Sequence, residues 1–319
     1  MLVGADKLTD GSVGLARRFG IPEIVIGLTV VAFGTSLPEF TVSFLAGVGG
    51  DEAAAALSVS NIVGSNLFNT LVIVGVSAAV CPIVLTKTTV RNDIPLCLLA
   101  SLVLGVLALD DVFYEGAVRN ISRRDGLLLT AFFLIFLSYT IALAWHRNRH
   151  KAETADTLQH GDAVGTSAAE MSVVRILLYI IVGFAGLIGV GELFVDGACG
   201  IAREAGVGEA VIGLTLVAGG TSLPELATSI VAARRGQSAL SIGNVVGSNL
   251  FNIFGILGIC ASISPLPVAD LTVIDFILLT GGSVVFWLFA RTNFKLERWE
   301  GAFLSAAYLV YLVWRLANL

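Results

Sequence analysis

The sequence predicts an all-α polytopic membrane protein with two inverted-topology five-helix repeats, the first helix of repeat 1 being largely missing. Three observations support this fold class. The 319 residues are 56% hydrophobic and only 13% charged, with a mean hydropathy of +0.89, whereas soluble domains carry about 25% charged residues. Several apolar runs are long enough to cross about 30 Å of hydrocarbon as helices. Two motifs occur twice, in the same order.

The duplicated motifs divide the chain into two related halves. Residues 26–40 read IGLTVVAFGTSLPEF and residues 212–226 read IGLTLVAGGTSLPEL, an offset of 186 residues. Residues 60–69 read SNIVGSNLFN and residues 243–252 read GNVVGSNLFN, an offset of 183 residues. Self-similarity at a nearly fixed offset indicates a structural repeat. The predicted domains are a first transmembrane repeat at 1–145, a linker at 146–172 and a second repeat at 173–319.

The charges around the two GTSLPE copies predict that the repeats lie upside down relative to each other. The basic pair Arg17–Arg18 precedes the first copy and the acidic pair Asp51–Glu52 follows it, whereas the basic pair Arg234–Arg235 follows the second. Since Lys and Arg are enriched in cytoplasmic loops, the first copy enters its helix from inside and the second from outside. Inverted repeats of this kind are common in secondary transporters.

Nine spans account for the apolar segments. We expect them at about residues 22–47, 54–80, 94–109, 127–145, 173–195, 211–232, 238–263, 272–290 and 300–317. The polar segment between the halves, 146–172, lacks apolar periodicity and is predicted to be a cytoplasmic linker of a cell-membrane protein. At the offset of 186 residues Asp6 aligns with Glu192, so the first residues are predicted to be the end of an otherwise missing helix.

Each GTSLPE motif places one carboxylate, Glu39 or Glu225, inside an apolar helix. An ionisable group at membrane depth is costly unless it faces a cavity or a partner. No Lys or Arg lies in the core of a predicted span, so a metal cation is the favoured counter-charge, and a protonated, hydrogen-bonded Glu is the alternative. Pro38 and Pro224 have no amide hydrogen to donate, so each helix is predicted to kink and to expose backbone carbonyls.

Further oxygen atoms surround these carboxylates in the sequence. Hydroxyl groups of Thr35, Ser36, Thr221 and Ser222 lie within one helical turn of the Glu residues. The second motif supplies a polar stripe at four-residue spacing, which places its members on one helix face. The stripes consist of Asn61, Ser65 and Asn69, and of Asn244, Ser248 and Asn252. Such stripes either bind ions or hold helices together by hydrogen bonds.

The chemistry of these groups predicts a hard cation as the ligand. Carboxylate, hydroxyl, amide and carbonyl oxygens are present without His or Cys, and six to eight oxygens suit Ca²⁺. Two carboxylates balance one Ca²⁺ and can equally hold Na⁺, so competition for the same charge permits exchange. We expect no cofactor. The net charge of −5 gives no indication of a nucleic-acid partner, and the absence of a nucleophile with a base at membrane depth disfavours an enzyme.

The paired motifs GTSLPE and GSNLFN resemble the alpha repeats of the calcium/cation antiporter superfamily, in its sodium/calcium exchanger branch. The resemblance covers essentially the whole chain. It implies alternating access and Ca²⁺ export against Na⁺ entry. It also implies a ligand set, matched by motif position, of Thr35, Ser36, Glu39, Ser65, Asn69, Thr221, Ser222, Glu225, Ser248 and Asn252, with the carbonyls of Ala32 and Ala218.

The sequence departs from the family pattern in two places. The first helix of the family, one of a mobile pair, is represented only by its end. Potassium-dependent relatives carry Asp at the position of Asn252, and the neutral amide here disfavours K⁺ co-transport. Two other functions stay open: a Ca²⁺/H⁺ antiporter, in which Glu39 and Glu225 take up protons, and a passive cation channel. The oligomeric state is not predicted.

Overall fold

The computed structural model describes residues 1–49, 52–109, 119–157, 171–206, 218–268 and 271–317, and these are mostly helical. The helices are α1 (Leu2–Phe19), α2 (Glu23–Thr35), α3 (Leu37–Val48), α4 (52–80), α5 (Thr89–Ala108), α6 (Arg123–Thr157), α7 (Val173–Glu204), α8 (Ala218–Thr221), α9 (Leu223–Arg234), α10 (Ser238–Ile263), α11 (Val273–Arg291) and α12 (Arg298–Ala317). Four two-residue strands are β1 (Ile83–Val84), β2 (Asn120–Ile121), β3 (Leu266–Pro267) and β4 (Lys295–Leu296).

Helices long and apolar enough to cross a membrane confirm the predicted class of helical membrane protein. Six described helices qualify, and the bent pair of α2 and α3 makes a seventh. The predicted span at 211–232 begins outside the described residues, and α12, at the predicted span 300–317, is not among the six. The total of about nine spans therefore stays a prediction. Helix α6 continues to Thr157, beyond its predicted end at 145.

Helix α1 packs along α7. Gly4 lies against Gly183 and Leu187, whereas Gly11 lies against Ile180, so the two helices run antiparallel. The helix has 18 residues and is longer than the remnant that the sequence predicts. Charged residues interrupt its apolar pattern, but small residues on the buried face let its backbone approach α7 closely, and this contact stabilises the helix.

Helices α2 and α10 cross at the centre of the bundle, and glycines at the crossing let their backbones come into contact. A Cβ atom at Gly27 would lie 2.9 Å from the Gly243 Cα, and one at Gly247 would lie 2.7 Å from the Leu28 Cα. Any larger side chain at these positions would separate the helices. The crossing therefore fixes how close the GTSLPE motif of the first half lies to the GSNLFN motif of the second.

Two short ribbons also join the halves of the chain. Strand β1 pairs antiparallel with β4, and β2 pairs antiparallel with β3. Strands β1 and β3 follow α4 and α10, which carry the two GSNLFN motifs. Each half therefore contributes one strand to each ribbon, and the two ribbons hold equivalent ends of the GSNLFN helices against the other half.

The bundle exposes apolar side chains and buries a cluster of polar ones within an otherwise apolar core. Leu193 is 73% exposed and Val310 is 71% exposed, whereas Ser65 and Asn252 have no exposed surface. This distribution suits a lipid environment, in which exposed apolar side chains are solvated and polar groups must be satisfied within the protein. The buried polar side chains gather where α2, α3, α4, α9 and α10 meet.

Replacing Gly183 by Ala is expected to weaken the contact between α1 and α7. The new Cβ would lie 2.8 Å from the Leu8 backbone nitrogen, and such overpacking costs about 1–3 kcal/mol. Gly189→Ala is the matched control, because a Cβ there meets nothing within 4 Å. Thermal unfolding in detergent should show a lower Tm for Gly183→Ala alone. Equal Tm values for the two variants would contradict the described packing.

Candidate functional site

The helix breaks that the sequence predicts lie at Ser36 and Ser222. Both residues have nearly the same backbone angles, φ −84° and ψ 12° for Ser36 and φ −87° and ψ 8° for Ser222. Helices α2 and α3 meet at an angle of 51°. Because Pro38 and Pro224 stand in the first turns of α3 and α9, each preceding helix ends there and a new helix begins.

The two new helices present their N-terminal ends to the carboxylates. Glu39 lies in the first turn of α3 and Glu225 in the first turn of α9, and both side chains have no exposed surface. The free amide groups and the dipole of a helix N-terminus stabilise negative charge. The breaks therefore place each carboxylate where the backbone partly compensates its burial, and neither faces lipid.

Each serine at a break donates its hydrogen bond to the glutamate of the other half. Ser36 Oγ lies 2.8 Å from Glu225 Oε1, and Ser222 Oγ lies 2.9 Å from Glu39 Oε1. The spacing S-x-x-E within each motif is that of a capping box, in which the serine side chain caps its own helix. Neither serine side chain makes that cap. The serines instead connect the two halves of the chain.

The stripe serines extend this network. Ser65 Oγ lies 2.8 Å from Ser222 Oγ and 3.4 Å from Glu39 Oε1. In the equivalent position of the second half, Ser248 Oγ lies 3.5 Å from Glu225 Oε1. The structure thus brings the two predicted motifs together, with one serine from α4 and one from α10 beside the carboxylates.

Asn69 and Asn252 lie where α4 and α10 widen into π-helical segments, Phe68–Ile73 and Phe251–Leu257. Asn69 Nδ2 donates to Asn249 Oδ1 at 3.0 Å, and Asn252 Nδ2 donates to Asn66 Oδ1 at 2.9 Å. These are again reciprocal bonds between the halves. π-Helical segments are frequent at functional sites because they turn side chains away from the regular helix register.

Asn66 and Asn249 also belong to the hydrogen-bond network of the candidate site, which the sequence does not reveal. The sequence places them off the polar stripes and suggests bonds to neighbouring backbone. Asn66 does reach a backbone carbonyl, but that of Asn249 in the other half, at 3.2 Å. Both side chains also orient the amide of a stripe asparagine. Their equivalent positions in the two GSNLFN copies are the only signal in the sequence that could have indicated this role.

The first members of the stripes hold helices together. Asn61 Nδ2 donates to Ser43 Oγ at 3.1 Å, and Asn244 Nδ2 donates to Ser229 Oγ at 3.0 Å. These bonds tie α4 to α3 and α10 to α9 in equivalent ways. For Asn61 and Asn244 the alternative interpretation of the stripe, hydrogen bonding between helices, matches the structure.

The remaining predicted ligands lie beside the breaks. The Thr35 hydroxyl is 3.0 Å from the Val31 carbonyl, 3.3 Å from the Ala32 carbonyl and 3.2 Å from Asn244 Oδ1. The Ala32 carbonyl also accepts the Ser36 amide at 3.0 Å. In the second half, the described part of α8, Ala218–Thr221, lies directly before Ser222.

Five buried carboxylate and amide oxygens of these motifs accept no hydrogen bond from any residue that the structure describes. Four of them form two equivalent pairs, the Oε2 atoms of Glu39 and Glu225 and the Oδ1 atoms of Asn69 and Asn252, and the fifth is Asn61 Oδ1. Neither carboxylate pairs with a described Lys or Arg. Among the described residues no group of three or more His, Cys, Asp or Glu could hold a metal, so the candidate ligands are oxygens from two carboxylates and their neutral neighbours.

A cavity of about 380 Å³ reaches the second break from the surface. Thr221 and Pro224 line it beside the break, and Glu192, Asp196 and Arg203 of α7 line it as well. Two carboxylates against one arginine give these charged groups an excess of negative charge, which attracts cations electrostatically. Glu192 entered the sequence analysis only through its alignment with Asp6, so the position of these two acids beside the site was not predicted.

Fold and site together define a multi-pass helical membrane protein with an all-oxygen polar centre between two equivalent halves. A family model described as "Sodium/calcium exchanger protein" matches residues 1–142 and 175–317. The chain belongs to this sodium/calcium exchanger family, which confirms the resemblance of its motifs. The family consists of membrane exchangers that carry ions by antiport, not of enzymes.

Individual relatives align over nearly the whole chain. Inner membrane protein YrbG of Escherichia coli (strain K12) is 32% identical over 314 residues, 98% of this chain and 92% of that protein. Sodium/calcium exchanger MaX1 of Methanosarcina acetivorans is 29% identical over 333 residues, 98% and 94% of the two chains. The structure of the sodium-calcium exchanger NCX_Mj soaked with 2.5 mM Na⁺ and 0.1 mM Ca²⁺ gives a TM-score of 0.78 at 33% identity, covering 98% and 94%.

The exchanged hydrogen bonds predict which double substitutions are coupled. Ser36→Ala combined with Glu225→Ala should deviate from additivity by about 1 kcal/mol, because each single change removes the same bond. Ser36→Ala combined with Glu39→Ala should show a smaller coupling energy, although these residues are closer in sequence. Unfolding free energies of the unchanged protein, the three single variants and the two double variants measure both values. Stronger coupling of Ser36 with Glu39 would show that the serine caps its own helix.

Proposed function

We propose that this chain is a secondary active antiporter that exchanges Ca²⁺ for Na⁺ by alternating access, with the ions bound between Glu39 and Glu225. The observation that carries this proposal is the set of four buried, unpaired oxygens, two from these carboxylates and two from Asn69 and Asn252. A buried acceptor without a donor is costly. A bound cation removes this cost for all four oxygens at once.

The full set of proposed ligands follows from the motifs and their placement. Beside the four unpaired oxygens stand hydroxyl groups that already contact the carboxylates, and carbonyls whose second lone pair can still coordinate. The set is Thr35, Ser36, Glu39, Ser65, Asn69, Thr221, Ser222, Glu225, Ser248 and Asn252, with the carbonyls of Ala32 and Ala218. Such a set offers enough oxygens for the six to eight that Ca²⁺ takes.

Charge balance makes exchange a natural outcome of this site. Two carboxylates neutralise one Ca²⁺ or two Na⁺, so either ion displaces the other at little net electrostatic cost. Leaving both carboxylates charged and buried without a cation is expensive. That penalty couples the release of one ion to the binding of the other. Exchange activity of this kind is named for MaX1 and for NCX_Mj, and it agrees with the proposal.

The reciprocal contacts support an inverted arrangement of two repeats. A contact between two residues of different halves is repeated between their equivalents, as in the interface of a symmetric dimer. Ser36 contacts Glu225, for example, and its equivalent Ser222 contacts Glu39. The serine–glutamate bonds, the asparagine bonds and the two ribbons all follow this pattern. Because α1 and α7 run antiparallel, the relating axis lies across the helices. In a membrane such repeats permit access from alternate sides.

The orientation in the membrane follows from the basic residues. The ends of the bundle that carry Arg17–Arg18 and Arg234–Arg235 are proposed to face the cytoplasm, together with the linker 146–172. Of that linker, residues 158–170 lie outside the described part of the chain. Ca²⁺ then enters the transporter from the cytoplasm, and Na⁺ enters through the cavity beside Glu192 and Asp196.

The protein reconstituted in liposomes should take up Ca²⁺ when the lumen holds Na⁺ and the outside does not. The Na⁺ gradient supplies the driving force, so uptake should disappear when Na⁺ is equal on both sides, with pH and membrane voltage clamped. Uptake that follows a proton gradient instead would establish a Ca²⁺/H⁺ antiporter. Uptake that needs neither gradient would establish a channel and refute antiport.

Glu39→Gln and Glu225→Gln should each reduce Ca²⁺ uptake roughly a hundredfold or more. Each change removes one of two charges from a buried ion site, at a cost of about 3–5 kcal/mol. Glu297→Gln is the matched control, because Glu297 pairs with Lys295 at 2.8 Å in a half-exposed position between α11 and α12. The same liposome assay, with insertion checked by protease protection, measures all three. Wild-type uptake by both site variants would remove the assignment of the ligands.

A further inference from the structure

A second cavity lies at the end of the bundle where α1 ends and α7 begins. It has a volume of about 470 Å³ and is separate from the residues of the ion site. Arg17 and Arg18 line it from α1, Arg175 lines it from the first turn of α7, and Arg235 lines it from the turn after α9. Four guanidinium groups from three separate chain segments therefore surround one space.

Described neighbours hold two of these arginines, and the carboxylate-bearing residue Asp10 also lines the cavity. Arg235 forms ion pairs with Asp6 at 2.7 Å and with Asp10 at 2.5 Å, which fixes its position against α1. Arg175 donates two hydrogen bonds, at 3.2 Å and 2.9 Å, to the Tyr179 hydroxyl, which is a neutral partner.

A further base and a further acid lie close to the cavity. Lys7 lies over the Tyr179 ring at 4.3 Å, and Glu23 lies within electrostatic range of Arg17. Around the cavity, bases therefore outnumber acids among the described side chains, with five bases and, counting Asp6 and Asp10, three carboxylates. An anion in the cavity would find donors on its α1 and α7 walls.

The geometry of the donors favours a phosphoryl group. Guanidinium groups present planar forks of N–H donors that match the oxygens of phosphate, and several Arg around one anion bind it more strongly than single contacts. The volume lies within the range of ordinary small-ligand sites. The cavity also lies at the ends of membrane-spanning helices on the side proposed to be cytoplasmic, where basic pockets between helices meet anionic headgroups.

We propose that this arginine cavity binds a phosphoryl group, supplied either by an anionic lipid headgroup or by a soluble phosphate. The bound group bridges the end of α1 and the start of α7. Arg235 on the third wall is already held by Asp6 and Asp10, which tie the turn after α9 to α1. Binding at this place restrains movement of α1 relative to α7, whichever ion the central site carries.

The experiment uses the full chain in neutral detergent and follows its thermal unfolding. The probes are dioctanoyl phosphatidylglycerol and inorganic phosphate, with dioctanoyl phosphatidylcholine as the zwitterionic control. Binding to the folded state stabilises it by RT ln(1 + L/Kd), where L is the free ligand concentration, so Tm rises with the logarithm of ligand concentration above Kd. Arg17→Gln and Arg175→Gln should each weaken the apparent affinity about tenfold, because each removes hydrogen bonds between charged groups. Arg298→Gln, an exposed arginine at the start of α12, is the matched control and should change nothing.

Two outcomes support the proposal and identify the source of the phosphoryl group. Stabilisation by phosphatidylglycerol alone assigns the cavity to a lipid headgroup, and stabilisation by inorganic phosphate as well assigns it to soluble phosphate. Absence of stabilisation by both, or equal responses of the cavity variants and Arg298→Gln, overturns it. The two cavity variants lie on different helices, so a folding failure of one leaves the other to decide. None of these measurements depends on Ca²⁺ or Na⁺ transport.

Discussion

The exchange of hydrogen bonds between Ser36 and Glu225 and between Ser222 and Glu39 is the interaction on which the rest of the structure depends. A buried carboxylate requires donors, and each half of the chain supplies only part of them to its own glutamate. The helix breaks at the two serines free these side chains from capping their own helices. The glycine crossing of α2 and α10 and the two ribbons then bring the halves close enough for the exchange. Neither half has a complete site without the other.

The placement of polar groups reverses that of a soluble protein, and this distribution explains the helix irregularities. Hydroxyl and amide groups occupy the interior, where every donor and acceptor must find a partner within the protein. Regular α-helices would direct Asn69 and Asn252 along the stripes of Asn61 and Asn244. The π-helical segments instead turn them toward Asn249 and Asn66, which bind their amide nitrogens and leave the oxygens unpaired. Irregular backbone thus accompanies these unpaired oxygens, although π-helical turns also occur at Gly27–Val31 and Thr89–Asp93.

The sequence predicts most of the helices and the central carboxylates, because both depend on local information. Apolar length identifies spans such as α10 and α11, and a proline next to a buried glutamate identifies a break. Contacts between segments that are far apart in the chain cannot be predicted from the local sequence. The S-x-x-E spacing around Ser36 suggests a capping box, whereas the real partner lies 189 residues away. The sequence predicts only a remnant of helix α1, because charged residues interrupt its apolar pattern. Its buried face of small residues is identified only by its contact with α7. The nine spans and the ligand set stay predictions.

The pairing of the asparagines has a consequence for the origin of such a site. Asn66 accepts a hydrogen bond from Asn252, and Asn249 accepts one from Asn69. Each bond joins the two halves, and the two bonds are equivalent. A dimer of two identical half-length chains, inserted in the bilayer in opposite orientations, would therefore already form both hydrogen bonds. Fusion of the copies into one chain adds no new ligand. It fixes the stoichiometry at one copy of each half and allows the two halves to change independently.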